Sequence, residues 1–255
     1  FTGDAAHMLP IFGVRGANTG FQDAQNLGWK LACVQKGLAS DALLHSYSSE
    51  RVGASREICE EAGKSTRFMT PPTRGFRLLR DAVLSLSLTE AFVRPLYHWR
   101  TSRPHEYNRS ILNARDDDNA QFAAGPAVGG QLSNVRFADD DYLLDHTTAA
   151  FTLLLITQND VPAEVQHVVQ RWRARGVPLH VLAVRRTAGV CQGADVTLQD
   201  TQQRTAQRYG APSAGDGLCA YLARPDQHVC ARWLHLSAER LDAALQQALP
   251  QGTLH

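Results

Sequence analysis

Apolar positions recur at steps of three and four through the first third of the chain and switch to short continuous runs in the last part. Ala24, Leu27, Leu31, Val34 and Leu38 make one stripe, which predicts an amphipathic helix starting just after Asn18 and Thr19, both suitable N-caps. Leu43, Leu44, Tyr47, Ala54 and Ile58 make a second stripe behind Ser40 or Asp41 as cap. Pro71-Pro72 interrupts the pattern. A third helix is predicted from Phe76 to Leu88, with Leu79, Val83 and Leu86 on one side. A fourth is predicted from Glu90 to Trp99, in a region ended by Pro104. From Asn113 to Asp141 the stripe disappears. Asp116–Asp118, Gly125-Pro126, Gly129-Gly130 and Asp139–Asp141 predict an exposed, solvated connection rather than a cation site, because calcium-loop spacing is lacking.

Beyond that segment the grammar is α/β. Phe151–Ile156 and Val177–Val184 are continuous apolar runs, as buried strands show. Between them Val165, Val168, Val169 and Trp172 space a helix with Pro162 in its first turn. A polar helix is expected over Thr201–Tyr209. Leu218–Ala223 and Val229–Leu234 flank Arg224-Pro225-Asp226-Gln227-His228, a hairpin turn. Ser237 should cap a last helix with Leu241, Ala244, Leu245 and Leu249 inward. The fold class is therefore α/β, with a mainly helical first part followed by a separate α/β domain.

Chemistry concentrates in GDAAHMLPIFGVRGANTG, residues 3–20. Gly13, Gly16 and Gly20 let the backbone approach a ligand closely or take positive φ. The first turn of the helix behind them holds unpaired N–H donors and a positive dipole end of about half an elementary charge. A phosphate, a carboxylate or an electron-rich ring edge would be stabilised there, and Arg15 adds a full charge. Asp4 is suited to accept hydrogen bonds from sugar-like hydroxyls. On spacing alone, an ordinary glycine-rich turn before a core helix fits equally well.

Composition narrows the classes. In 255 residues, 26 basic and 25 acidic side chains are well mixed, for a net charge of +1. That balance gives no basic stripe for nucleic acid and no polybasic segment for a membrane surface. The five cysteines are scattered without a CxxC, so neither a zinc site nor a dithiol is indicated, and buried thiols in a reducing cytoplasm are expected. No G-x-S-x-G or H-E-x-x-H occurs. His7 is read as a structural residue that fixes its loop, not as a general base. Arg171, Arg173 and Arg175 read as a solvated helix end.

The order GDAAH, Pro10, Gly13, Gly16, Asn18, Gly20, Asp23-Ala24, Asn26-Leu27 and Trp29-Lys30-Leu31-Ala32 resembles the second flavin-binding motif of the FAD-dependent aromatic hydroxylases, the single-component flavoprotein monooxygenases of the phenol hydroxylase type. Leu44, Tyr47 and Glu50-Arg51 resemble the next helix of that family. The resemblance implies a flavin contact set of Gly3, Asp4, Pro10, Gly13, Arg15, Gly16, Ala17 and Asn18. In it Asp4 binds ribityl or ribose hydroxyls, and Arg15 keeps the flavin N1–C2=O edge electropositive. Relatives commonly carry Pro where this chain has Ile11 and Gln where it has Arg15. The resemblance further implies FAD as cofactor, NAD(P)H and O2 as cosubstrates, and a phenolic or related aromatic small molecule as substrate.

The domains expected on this basis are 1–112 for the end of an FAD-binding domain, 113–141 for a linker and 142–255 for a thioredoxin-like domain. At its strand–helix loop the last carries Thr157-Gln158-Asn159-Asp160 in place of CxxC, which removes disulfide chemistry and leaves packing, including a homodimer interface, as its role. No G-x-G-x-x-G occurs, so the chain reads as the C-terminal portion of a longer enzyme, inactive alone. The alternatives are a non-catalytic assembly module and another flavoprotein of the superfamily, a reductase or halogenase. No catalytic base is identifiable, and no metal site is expected.

Overall fold

The computed structural model describes residues 1–11, 15–97, 105–115, 117–212 and 218–251. They form two compact units, residues 1–27 with 47–105 and residues 28–46 with 106–255, so the division falls inside the first two helices.

The first unit is helical. A 3-10 turn at Gly3–Ala5 precedes α1 (Gly16–Gln35), and α2 (Ala42–Met69) and α3 (Arg74–Leu86) follow. Thr73 caps α3, its side chain accepting from the Phe76 N–H. The fourth expected helix is only a 3-10 turn, Ala91–Leu96, because Pro95 inside it removes a donor; its expected end at Trp99 lies outside the described residues. In this unit the buried positions of α1 and α2 are largely polar: Thr19, Asp23, Asn26, Glu50 and Arg51 are all below 5% exposed. Such an interface holds only if every group is paired.

The second unit is built on a five-stranded sheet of order β5-β4-β3-β6-β7. Its strands are β3 (Phe151–Ile156), β4 (Leu179–Arg185), β5 (Val196–Gln199), β6 (Cys219–Ala223) and β7 (Val229–Trp233). β3, β4 and β5 run parallel, and β6 and β7 are antiparallel additions, with Leu154 opposite Leu182 on one side and Tyr221 on the other. Alternation sorts β3 between two cores: Phe151, Leu153 and Leu155 face α4 (Ala163–Ala174), α6 (Ala238–Ala248) and the second half of α1. Leu154 and Ile156 belong to the opposite core with Leu182, Val184, Tyr209 and Tyr221. Trp29 of α1 stacks edge-on against Phe151 at 5.6 Å. Ser237 caps α6 as expected, accepting from the Arg240 N–H. Pro162 stands at the N-cap of α4, one position before the expected first turn. α5 is shorter than expected, Arg204–Tyr209.

The segment expected to be a solvated connection is instead built into this unit. Asp118 is buried and accepts from the Leu234 and His235 N–H groups and from Arg240 Nη1 at 3.1, 3.0 and 2.7 Å. Arg232 on β7 donates to Asn119 Oδ1 at 2.6 Å and to the Pro126 carbonyl at 3.0 Å. Leu132 and Val135 cover the second core, and β1 (Arg136–Ala138) pairs with β2 (Asp141–Tyr142). Of the residues that signalled solvent there, the Asp118 carboxylate serves the end of β7 and the Gly125 carbonyl accepts from buried Arg232 at 3.4 Å.

Candidate functional site

The approach to α1 is shaped by three observations. Gly3 has a φ of +58°, a conformation glycine takes without penalty, and the Ala6 and His7 N–H groups both donate to its carbonyl, at 2.9 and 3.0 Å. The resulting turn lies directly on α1: a Cβ at Gly20 would stand 3.4 Å from the Gly3 Cα. One carboxylate then closes it, since Asp23 Oδ2 accepts from the Gly3 N–H at 2.9 Å and lies 2.6 Å from His7 Nε2. His7 is thus the loop-fixing residue the sequence suggested.

Asp23 is completely buried, and its other oxygen accepts from Arg51 Nε at 2.6 Å. Arg51 also donates through Nη2 to the Thr19 carbonyl at 3.2 Å, and Asn26 donates to Glu50 at 2.7 Å. Tyr47 donates to the Phe1 carbonyl at 2.7 Å. Burial alone would raise the Asp23 carboxyl, but hydrogen bonds from Arg51, Gly3 and His7 and the Arg51 charge outweigh it and hold the group below the usual carboxylate range. Asp23, Asn26, Glu50 and Arg51 were visible in the sequence only as motif letters. Their pairing across two helices is what the motif encodes, and its signal was the coincidence of buried-helix periodicity with charged residues.

The expected contact residues divide accordingly. Gly3 and Asp4 lie on the pinned turn, Asp4 exposed and without a hydrogen-bond partner among the described residues. Pro10 and Arg15 are half-buried, and Gly13 lies outside the described residues. Gly16, Ala17 and Asn18 form the first turn of α1, because the Thr19 N–H already donates to the Arg15 carbonyl at 2.8 Å. Asn18 and Thr19 are therefore not caps: the helix begins two residues earlier, and Thr19 is buried. The first-turn N–H groups belong to Gly16, Ala17 and Asn18. Among the described residues a Cβ added at Gly16 would meet nothing within 4 Å, and Ala17 and Asn18 are exposed, so no described residue covers this helix end. A helix N-terminus uncovered by described residues, with Arg15 next to it in the chain and an exposed carboxylate on a fixed turn, suits a group with an anionic ring edge and a hydroxylated chain.

Among the described residues no group of three or more His, Cys, Asp or Glu side chains could hold a metal ion. No described helix is long and apolar enough to cross a membrane. Four of the cysteines are buried and all are free; burial pushes Cys219 and Cys230 up to about 12.

Comparison with known proteins places this geometry in a class. Residues 1–62 match the family model described as an FAD binding domain. The chain is 32% identical to a 4-methyl-5-nitrocatechol 5-monooxygenase of a Burkholderia species, over 97% of this chain and 42% of that protein. It is 29% identical to a 3-(3-hydroxy-phenyl)propionate/3-hydroxycinnamic acid hydroxylase of Mycolicibacterium smegmatis, over 68% of this chain and 31% of the relative. Among solved structures, the rebeccamycin biosynthetic enzyme RebC with reduced flavin superposes with a TM-score of 0.68 at 25% identity, over 98% of this chain and 45% of that one. Aklavinone-11 hydroxylase in complex with FAD and aklavinone shares the fold with a TM-score of 0.65 at 24% identity. The homologues of this chain are thus FAD-dependent monooxygenases acting on aromatic compounds. The chain spans less than half the length of each of these relatives.

Proposed function

We propose that this chain is the C-terminal portion of a flavin-dependent aromatic hydroxylase and supplies one side of its FAD site. The observation that carries the reading is the first turn of α1, uncovered by any described residue and following Arg15, together with a turn packed on Gly20 that holds Asp4 exposed. Bound FAD would supply the redox chemistry, accepting reducing equivalents from NAD(P)H and activating O2 for insertion into a phenolic ring. The protein groups do the holding. Asp4 accepts hydrogen bonds from the hydroxylated chain. The N–H groups of Gly16, Ala17 and Asn18, together with Arg15, stabilise negative charge at the ring edge. Pro10 would lie along the ring, near the substrate. Arg15 brings a formal charge to a position where many relatives use an amide, which favours the anionic reduced ring more strongly at low salt.

The second unit supports a thioredoxin-like reading: strand–helix–strand with parallel β3 and β4, then an antiparallel hairpin and a helix, with β3 central. Its strand–helix loop, Thr157–Asp160, holds no thiol, so its role is packing and assembly, including a homodimer.

The test is flavin titration of the intact protein followed by product analysis with NADPH and substituted phenols. Stoichiometric binding by the longer enzyme that includes this chain, weakened about tenfold in Asp4→Ala, with phenol hydroxylation by its unsubstituted form, is the expected outcome. A folded protein that ignores FAD would overturn the reading.

A further inference from the structure

Asp23 lies two turns into α1, completely buried, yet its contacts with Gly3 and His7 hold the turn that carries Asp4. Its Oδ2 holds both ends of the Gly3–His7 turn, and its Oδ1 holds Arg51 of α2. Arg51 in turn ties back to the Thr19 carbonyl, one turn from the helix start. Asp4 sits between the two pinned ends with no partner of its own among the described residues. An exposed carboxylate on a short turn would otherwise sample many orientations, and ordering it only on binding would lower affinity.

From this geometry we infer that Asp23 and Arg51 are positioning residues for the flavin: without touching it, they fix the turn that presents Asp4 to the hydroxylated chain. The inference rests on the proposed FAD site. It differs from a merely structural role, in which the pair holds α1 against α2 and any effect on flavin follows from general loosening. His7 takes part on the same terms. Its Nε2 is engaged with Asp23, while its Nδ1 is buried with no hydrogen-bond partner among the described residues.

A double-mutant cycle on FAD affinity separates the two roles, because Asp4 and Asp23 share no contact and independent effects should add. Affinity is read from quenching of flavin fluorescence on the intact protein, and the melting midpoint without flavin is recorded alongside. Asp23→Asn should weaken FAD binding about tenfold when Asp4 is present, and less than about twofold in the Asp4→Ala background. Arg51→Lys keeps the charge but loses the Nε and Nη2 donors, and should show the same pattern in milder form if Asp23→Asn does not fold. Equal losses in both backgrounds, or unchanged affinity in either variant, would overturn the inference while leaving the FAD site intact. Failure of the unsubstituted protein to bind FAD would remove both.

Discussion

A single buried carboxylate carries much of the first unit. Asp23 has its full hydrogen-bonding capacity directed at Gly3, His7 and Arg51, and removing one partner of a buried ion pair strands the other charge. Asp23→Ala should therefore destabilise the protein by about 3–5 kcal/mol, and Asp23→Asn by less, measured by denaturant unfolding. The same group sets an acid response. The folded-state values of Asp23, Asp118 and Asp226 all lie below the ordinary carboxylate range, so each contributes stability above its unfolded value of about 3.9, and that stability is lost as pH falls through the folded value. Melting midpoints should hold from neutral pH to about 5 and then drop steeply, with a shallower drop in Asp23→Asn. The thiols make a contrasting expectation. Burial raises Cys33, Cys191, Cys219 and Cys230, so iodoacetamide applied to the native protein near neutral pH should label half-exposed Cys59 first, as peptide mapping would show.

Individual elements follow the sequence pattern where burial and periodicity agree. The strand over Phe151–Ile156 coincides with its apolar run, and the hairpin falls on both sides of Arg224–His228, tightened by the Arg224–Asp226 ion pair at 2.6 Å. Ser237 is a true cap, and Ser237→Ala should cost about 1 kcal/mol in an unfolding titration. Elsewhere the pattern misled. β5 was not recognised because Val196–Gln199 is a four-residue edge strand with only Leu198 buried, too short for alternation to register. The 113–141 segment reads as polar, but its Asp118 and Asn119 satisfy Arg240, the end of β7 and Arg232. Gly129 shows how tightly it is packed: at φ +92° its added Cβ would overlap the Tyr107–Asn108 backbone. Gly129→Ala should destabilise by about 2–4 kcal/mol, because strain and overpacking combine there. A value near zero would show that this segment is loosely held.

At the scale of the whole chain, the lettering of residues 3–32 carried the flavoprotein resemblance that the match of residues 1–62 to an FAD binding domain bears out, while spacing alone left an ordinary glycine-rich turn equally open. The alternation of apolar positions likewise determined that a helical part precedes an α/β part, because burial of one face forces a period on any strand or helix. Tertiary structure alone decided which polar groups are partners. Asp23 meets Arg51 from 28 positions away and Arg232 meets Asn119 across 113, distances at which sequence carries no pairing signal. A buried charge is tolerated only where the fold brings its counterpart, and that is a property of the packed helices and sheet, not of any local run of residues.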